Sequence, residues 1–167
     1  MDATQRLNEL ILHYEKDLLR FCCVYLQDAA LAQDAVQETF LKAYRSLNRF
    51  RGDCSEKAWL LRIAVNTCKD VRRSAWHQHI DRRVTPENLP LPSAPPDDDH
   101  LALTDALMRL PPKELEAVLL HHYHGLTQAE TARALRITQP AVALRLKKAY
   151  TLLRRSLEGD EQHEATP

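Results

Sequence analysis

The 167-residue chain has few glycines and few aromatic residues: three glycines are present, and Phe, Trp and Tyr make up 6%. No glycine-rich phosphate loop exists, and no glycine lies in a nucleophile elbow. The four cysteines form no CxxC pair and are too sparse for a secreted disulfide scaffold. No apolar run approaches membrane length, and the polar first residues do not resemble a signal peptide. We therefore expect a cytoplasmic protein without membrane insertion, and not an enzyme.

The formal net charge is zero, but the charges are distributed unevenly along the chain. Residues 1–41 carry three basic and seven acidic groups, whereas residues 42–83 carry eleven basic and four acidic groups. Residues 86–100 hold four acids and no lysine or arginine, and residues 133–155 hold seven basic groups and no acid. Two basic surfaces on either side of an acidic spacer indicate two contacts with one polyanion, and the acidic N-terminal surface remains for a protein partner.

Abundant Leu, Ala, Arg and Glu favour an all-α fold. Apolar residues recur at helical spacing over 4–26 and 29–47, and a third helix is predicted from Ser55, its N-cap, to about Arg73. Five of the nine prolines lie in 85–96 and three aspartates follow, which indicates a linker. We predict two small helical domains, an N-terminal helical bundle and a C-terminal helix-turn-helix, joined by a Pro/Asp-rich linker. The predicted boundaries are 1–84 for the bundle, 85–103 for the linker, 104–158 for the helix-turn-helix and 159–167 for an acidic tail.

The third predicted helix has an apolar face and an opposite stripe that is basic and polar. The apolar face consists of Leu60, Leu61, Ala64, Val65, Cys68 and Val71. The stripe consists of Trp59, Arg62, Asn66, Lys69 and Arg73. Cations can meet phosphates, an indole ring can stack on a base, and an amide can read a base edge. The stripe suits a nucleic-acid surface; a solvated basic face with a half-buried tryptophan is the alternative.

The C-terminal part has the outline of a helix-turn-helix. A helix that starts at Pro112 is predicted to end at Gly125, and the capping-box spacing of Thr127 and Glu130 starts the next helix. The short turn 136–139 leads to a long basic helix that has an apolar inner face and is predicted to end near Leu157. That face consists of Val142, Leu146, Ala149, Leu153 and Leu157. A generic helical hairpin shares this outline, but the capping box, short turn and acid-free helix favour duplex DNA binding.

Two long runs of the chain resemble conserved regions of one family. The run Asp34–Asn66, DAVQETFLKAYRSLNRFRGDCSEKAWLLRIAVN, resembles the second region of the extracytoplasmic-function (ECF) sigma factors, small members of the sigma-70 family. The run Leu107–Arg155 resembles their fourth region. With the first helix, the resemblance covers about residues 5–157, and the third region is absent, as is usual in this group. It implies a bacterial subunit that binds core RNA polymerase and recognises the −10 and −35 promoter elements.

The resemblance also implies roles for individual positions. Core polymerase would contact Asp34, Gln37, Glu38 and Leu41 on the second helix. At the −10 element, Trp59 matches an aromatic position at the upstream edge of the melted bubble and Asn66 a residue that receives a flipped base. The implied −10 phosphate contacts are Arg62, Lys69, Arg72 and Arg73. The implied −35 contacts are Thr127, Gln139, Ala143, Leu144, Arg145, Lys147 and Lys148.

The last helix departs from the family's pattern. Pro140 replaces a usual glycine, and Ala143 and Leu144 replace residues that are generally polar or basic. Readout at these positions would use apolar contact with thymine methyl groups, or DNA shape. The implied partners are core RNA polymerase, promoter DNA and an anti-sigma factor, and we expect a monomer when the protein is free.

Several residues admit other readings. His121, His122 and His124 match no metal-ligand spacing, so we expect no metal or cofactor and place them on an exposed helix end, with zinc binding or pH sensing as alternatives. Cys22 and Cys23 are predicted to be buried in the core, with a redox switch as the minor alternative. Two other functions remain: a helix-turn-helix regulator that does not act through core polymerase, and a pure interaction module with fortuitous basic faces.

Overall fold

The computed structural model describes residues 2–75 and 98–164, and seven α-helices follow one another in this part of the chain. They are α1 (Ala3–Leu26), α2 (Ala29–Ser46), α3 (Glu56–Ala75), α4 (Asp98–Met108), α5 (Pro112–Val118), α6 (Gln128–Leu135) and α7 (Gln139–Glu164). Helices α1–α3 form the N-terminal region and α4–α7 the C-terminal region, which confirms the all-α class. The basic segment 76–83 and most of the predicted linker lie outside the described residues.

Short polar side chains fix the starts of the first helices. Asp28 accepts a hydrogen bond from the Leu31 amide at 2.9 Å and caps α2. The Ser55 hydroxyl accepts one from the Ala58 amide at 3.1 Å, so its predicted role as the N-cap of α3 is confirmed. These bonds satisfy amides that have no partner inside a helix.

The N-terminal core forms where α1, α2 and α3 pack together. The predicted apolar face of α3 is buried apart from Val71, which is half-buried. Cys22 and Cys23 are fully buried, which confirms their predicted packing role. The sulfur of Cys22 lies 3.4 Å from that of Cys68, and this hydrogen bond together with burial raises the pKa of the Cys22 thiol well above its ordinary value. The Cys22 thiol is therefore held in the neutral, unreactive form.

The C-terminal region has the predicted helix-turn-helix. Pro112 occupies the first turn of α5, and Gly125 has a φ of +75°, a left-handed conformation that glycine adopts without strain. Thr127 and Glu130 form a reciprocal capping box at the start of α6. One feature was not predicted: the five residues Leu119–Tyr123 form a π-helical turn directly after α5.

Two helix boundaries differ from the sequence prediction. Helix α4 begins at Asp98, inside the predicted linker 85–103, because acidic residues are favourable in the first turn of a helix. Helix α7 does not end near Leu157 but continues to Glu164, through most of the predicted acidic tail. Gly159 alone does not stop it, since one glycine costs only about 1 kcal/mol in a helix.

The two regions pack directly against each other. Helix α3 contacts α6, and α1 contacts α4 and α5. His124 is buried in this interface, with its ring centroid 5.9 Å from that of Phe21. The prediction that all three histidines lie on an exposed helix end is therefore wrong for His124, because the N-terminal region covers it.

Candidate nucleic-acid and polymerase interface

The outer face of α2 carries, as one stripe, the four residues that the resemblance assigned to core polymerase. Asp34 and Gln37 are exposed, Glu38 is half-buried, and Leu41 is 49% exposed. A groove of about 320 Å³ runs beside this stripe, between α2 and α3. Lys42 crosses the groove, with its ammonium 3.1 Å from the Thr67 hydroxyl. The stripe thus combines an exposed leucine with acidic groups beside a concave surface, which suits a protein contact.

The start of α3 presents an aromatic pair among arginines. The rings of Trp59 and Phe50 lie 4.8 Å apart between centroids, and Trp59 is half-buried. Arg49, Arg51 and Arg62 line the same cleft beside this pair. Phe50, Arg49 and Arg51 received no role from the sequence, although the run RFR immediately before Gly52 could have indicated them. Cations around a pair of contacting aromatic rings form a surface suited to single-stranded nucleic acid.

Asn66 lies one turn after Arg62, on the predicted stripe, and is half-buried. Its side-chain nitrogen donates a hydrogen bond to the Arg62 carbonyl at 2.8 Å. The position of Asn66 on the polar stripe predicts an amide that is free to meet a ligand. This prediction is wrong for one donor, because the preceding turn of the helix offers a carbonyl within reach. Contact with a base requires its other polar groups or a change of side-chain rotamer.

The four cations predicted to contact −10 phosphates fall into two pairs. Arg62 and Arg73 are exposed, and neither forms an ion pair within the described residues. Lys69 and Arg72 are half-buried at the interface between the two regions. The Lys69 ammonium is 3.6 Å from Glu116, and the Arg72 guanidinium lies 4.9 Å from the centroid of the Tyr25 ring. This arrangement leaves half of the predicted phosphate contacts accessible.

The predicted −35 surface lies on α7 and the turn before it. Gln139, Ala143, Lys147 and Lys148 are exposed, Leu144 is 70% exposed and Arg145 is half-buried. Thr127 is also exposed, but its hydroxyl accepts the Glu130 amide at 3.0 Å and serves as a helix cap. The Lys148 ammonium is 3.4 Å from Glu114 on α5. The face offered to solvent is therefore basic, with an apolar patch at Ala143 and Leu144.

The three histidines have separate surroundings. A ring nitrogen of His121 lies 2.7 Å from the Leu126 carbonyl, and the His122 ring makes edge contacts with Tyr123 and Tyr150. Burial lowers the pKa of His124 to about 4. In 2–75 and 98–164, no three His, Cys, Asp or Glu side chains are arranged to hold a metal ion. Within the same ranges, every helix is too short or too polar to cross a membrane.

Both regions of the chain resemble parts of known proteins. Residues 10–78 match the family model Sigma-70 region 2, and residues 100–153 match Sigma-70, region 4. The chain is 32% identical to the RNA polymerase sigma factor CarQ of Myxococcus xanthus over 161 residues, which cover 93% of this chain and 91% of CarQ. It is 33% identical to the ECF RNA polymerase sigma factor SigL of Mycobacterium tuberculosis over 152 residues, which cover 84% and 82% of the two chains.

Two solved structures share the fold. The sigma factor RpoE of Bartonella quintana, solved in complex with the anti-sigma factor NepR, superposes with a TM-score of 0.77 at 20% identity, covering 92% of this chain and 98% of the other. CnrH, solved with the cytosolic domain of CnrY, has a TM-score of 0.69 at 24% identity, covering 94% and 90%. Since both sigma-70 regions match in order and relatives above 30% identity align over most of their length, the chain belongs to the ECF group of the sigma-70 family of RNA polymerase sigma factors.

Proposed function

We propose that this sigma factor binds core polymerase through the outer face of α2, holds the melted −10 element against α3, and docks α7 on the −35 element. Through these contacts it initiates transcription of a stress- or signal-responsive set of genes in the cytoplasm. The proposal rests on three exposed surfaces that lie on separate helices. Helix α2 carries an acidic stripe with a leucine, and α3 and α7 each carry a basic face.

The polymerase contact is assigned to Asp34, Gln37, Glu38 and Leu41. Leu41 is a large apolar side chain that no neighbouring helix covers, and the polar groups beside it can form hydrogen bonds at the rim of an interface. An exposed apolar centre with a polar rim is typical of a protein-binding surface.

The −10 contact is assigned to α3 because this helix combines rings, cations and an amide. Trp59, supported by Phe50, would stack at the edge of the melted bubble. Arg62 and Arg73 would contact phosphates in the present arrangement. Lys69 and Arg72 would do so after they separate from Glu116 and Tyr25, respectively. Asn66 would read one unstacked base through its carbonyl oxygen, which needs no change in its hydrogen bond to Arg62.

The −35 contact is assigned to α7, with Thr127 and Gln139 at the edge of the surface. Arg145, Lys147 and Lys148 would supply most of the charge against the phosphates. The exposed apolar pair Ala143 and Leu144 lacks hydrogen-bonding groups, so these residues would contact thymine methyl groups.

The proposed partners are core RNA polymerase, promoter DNA and an anti-sigma factor, and the free protein is a monomer. The two solved structures that share the fold are both complexes: RpoE is bound to the anti-sigma factor NepR, and CnrH is bound to the cytosolic domain of CnrY. These complexes support an anti-sigma factor as a partner.

The test is binding of the purified chain to a duplex promoter with and without core polymerase. A sigma factor that acts through polymerase is expected to bind core and to bind the promoter specifically only in its presence. Specific duplex binding without core, together with no affinity for core, would favour the helix-turn-helix regulator instead.

A further inference from the structure

We propose that the cleft between α3 and α6 binds a nucleoside diphosphate, a small ligand that the proposed promoter contacts do not require. The cleft has a volume of about 200 Å³. Helix α3 and residues 49–54 line one side of it, and α6 lines the other. Because it is smaller than the sites of most drug-sized ligands, it suits one nucleotide and not a longer strand. We call it the α3–α6 cleft.

The cationic lining of the α3–α6 cleft points to an anionic ligand. Four arginines contribute to it: Arg49, Arg51, Arg62 and Arg133. All four are exposed, and none of them forms an ion pair within residues 2–75 and 98–164. Guanidinium groups stay charged at physiological pH and bind phosphate oxygens through paired hydrogen bonds. Four such groups around one cleft favour a ligand with more than one negative charge.

Two acids in the same lining reduce this charge without cancelling it. They are Asp53 and Glu130, so four positive and two negative side chains leave a net charge of +2. The Glu130 carboxylate already accepts a hydrogen bond from the Thr127 amide at 3.1 Å, as a helix cap. The larger groove beside α2 has the opposite balance, with three acids and one lysine in its lining. Charge therefore favours an anion in the α3–α6 cleft and disfavours one in that groove.

The aromatic rings indicate that the anion carries a base. Trp59 is a half-buried part of the lining, and its ring centroid lies 4.8 Å from that of Phe50. Indole rings stack on nucleobases of any kind. Inorganic phosphate would use the arginines alone, whereas a nucleoside diphosphate uses the arginines and the indole together. The combination of rings and guanidiniums therefore favours a nucleotide.

Arg133 distinguishes this site from the −10 surface. Trp59 and Arg62 belong to both, but Arg133 lies on α6 and has no part in the promoter contacts proposed above. A free nucleotide and a nucleic-acid strand share the same base and phosphate chemistry, so the experiment separates them through Arg133. Cys54 supplies an independent probe, because it lines the cleft and is half-buried while the other three cysteines are buried.

The first measurement is a titration of the full chain with ADP and with GDP. In a Trp76→Phe background Trp59 is the one tryptophan, so its fluorescence reports stacking. At least one diphosphate should give a saturable change. By calorimetry, pyrophosphate and the matching nucleoside should each bind at least about tenfold more weakly, because each contacts only part of the lining. No saturable binding of either diphosphate, or pyrophosphate binding as tightly as both, would overturn the proposal.

The second measurement uses the wild-type chain and the Cys54 thiol. Iodoacetamide should modify Cys54 before the three buried cysteines, and the modified residue is identified by mass spectrometry. A saturating concentration of the bound diphosphate should slow this reaction several-fold, since the ligand covers the thiol. An unchanged rate at saturation would place the ligand outside the α3–α6 cleft and contradict the proposal.

The third measurement compares two arginines of the same helix end. Arg133→Gln should weaken diphosphate binding about tenfold, because it removes a charge-assisted contact. Arg136→Gln is the control, since Arg136 is exposed and is not among the lining residues. Wild-type affinity in a folded Arg133→Gln variant would mean that the nucleotide occupies the −10 surface alone, which would overturn the proposal.

Run-off transcription with core polymerase separates this inference from the proposed function. If the wild-type chain supports transcription but binds neither diphosphate, only the inference fails. If it binds a diphosphate through Arg133 but never supports transcription, only the proposed function fails.

Discussion

The hydroxyl of Tyr25 and the carboxylate of Glu116, 91 residues apart in the chain, lie 2.6 Å apart in the interface between the two regions. Burial, and then the hydrogen bond to Glu116, raise the pKa of the Tyr25 phenol far above its ordinary value. The phenol therefore remains protonated and a hydrogen-bond donor at neutral pH. This bond connects α1, the first helix of the N-terminal region, to α5 in the middle of the C-terminal region.

The outer face of α2 gives the first prediction. Replacing Gln37 by Ala and Glu38 by Lys together should weaken binding to core polymerase at least tenfold, because the substitutions remove a hydrogen-bonding group and reverse a charge beside Leu41. Fluorescence anisotropy of the labelled chain titrated with core measures the change. Glu9→Lys, an exposed charge reversal on α1, is the control. Wild-type affinity for core in the double variant, with helicity and thermal stability retained, would refute the assignment.

The basic face of α7 gives the second prediction. Arg145→Ala and Lys147→Ala should each lower the salt slope of promoter binding by about one unit, since each removes one phosphate contact. Lys148→Ala should do the same but also lower thermal stability, because it leaves the buried Glu114 without its partner. The measurement is the affinity of the polymerase holoenzyme at several salt concentrations, with Lys113→Ala as the control. Three unchanged slopes would place this face away from DNA.

Asn66 gives the third prediction. Asn66→Ala should reduce discrimination at one −10 position by roughly two- to tenfold, because a single hydrogen bond to a base edge contributes about 0.5–1.5 kcal/mol. Arg73→Ala, on the same helix face, should instead weaken all promoters about equally. Transcription from promoter variants and a melting curve measure both effects. A loss of thermal stability with intact base preference would show that the bond from Asn66 to the Arg62 carbonyl is its whole role.

His124 gives the fourth prediction, which concerns pH. Burial lowers its pKa to about 4, with Lys57 and Arg20 acting in the same direction and Asp17 against them. The His124 ring is neutral in the folded protein. Its contribution to the free energy of unfolding is therefore complete above a pH of about 6.5, the ordinary pKa of histidine in an unfolded chain. As pH falls towards 4, roughly 3 kcal/mol of stability should be lost. Denaturant titrations of wild type and His124→Gln should therefore converge as the pH falls over this range; a constant difference between them would contradict the prediction.

Local features of the fold were predictable because short-range chemistry determines them. Ser55, Gly125 and the pair Thr127 and Glu130 act within one helical turn, so their residue types and spacing were sufficient. The buried face of α3 followed from helical periodicity.

The contacts between regions were not predictable in this way. Periodicity places Lys69 on an outward face of its own helix, and only the packing of α5 against α1 and α3 gives it Glu116 as a partner. His124 is buried for the same reason, because Phe21 of α1 packs edge-on against its ring. The sequence signal for such a contact would be a pair of residues distant in the chain, which a local pattern does not contain.

The most direct measurement is run-off transcription by core RNA polymerase, with and without this chain, on a library of promoter sequences. Enrichment of transcripts that start from templates with shared −35 and −10 elements, only when the chain is present, is the predicted result. The same assay also tests the polymerase contact on α2. Gln37→Ala combined with Glu38→Lys is expected to abolish the enrichment. Absence of any chain-dependent transcript across the library, from a folded chain and active core, would contradict the proposed function.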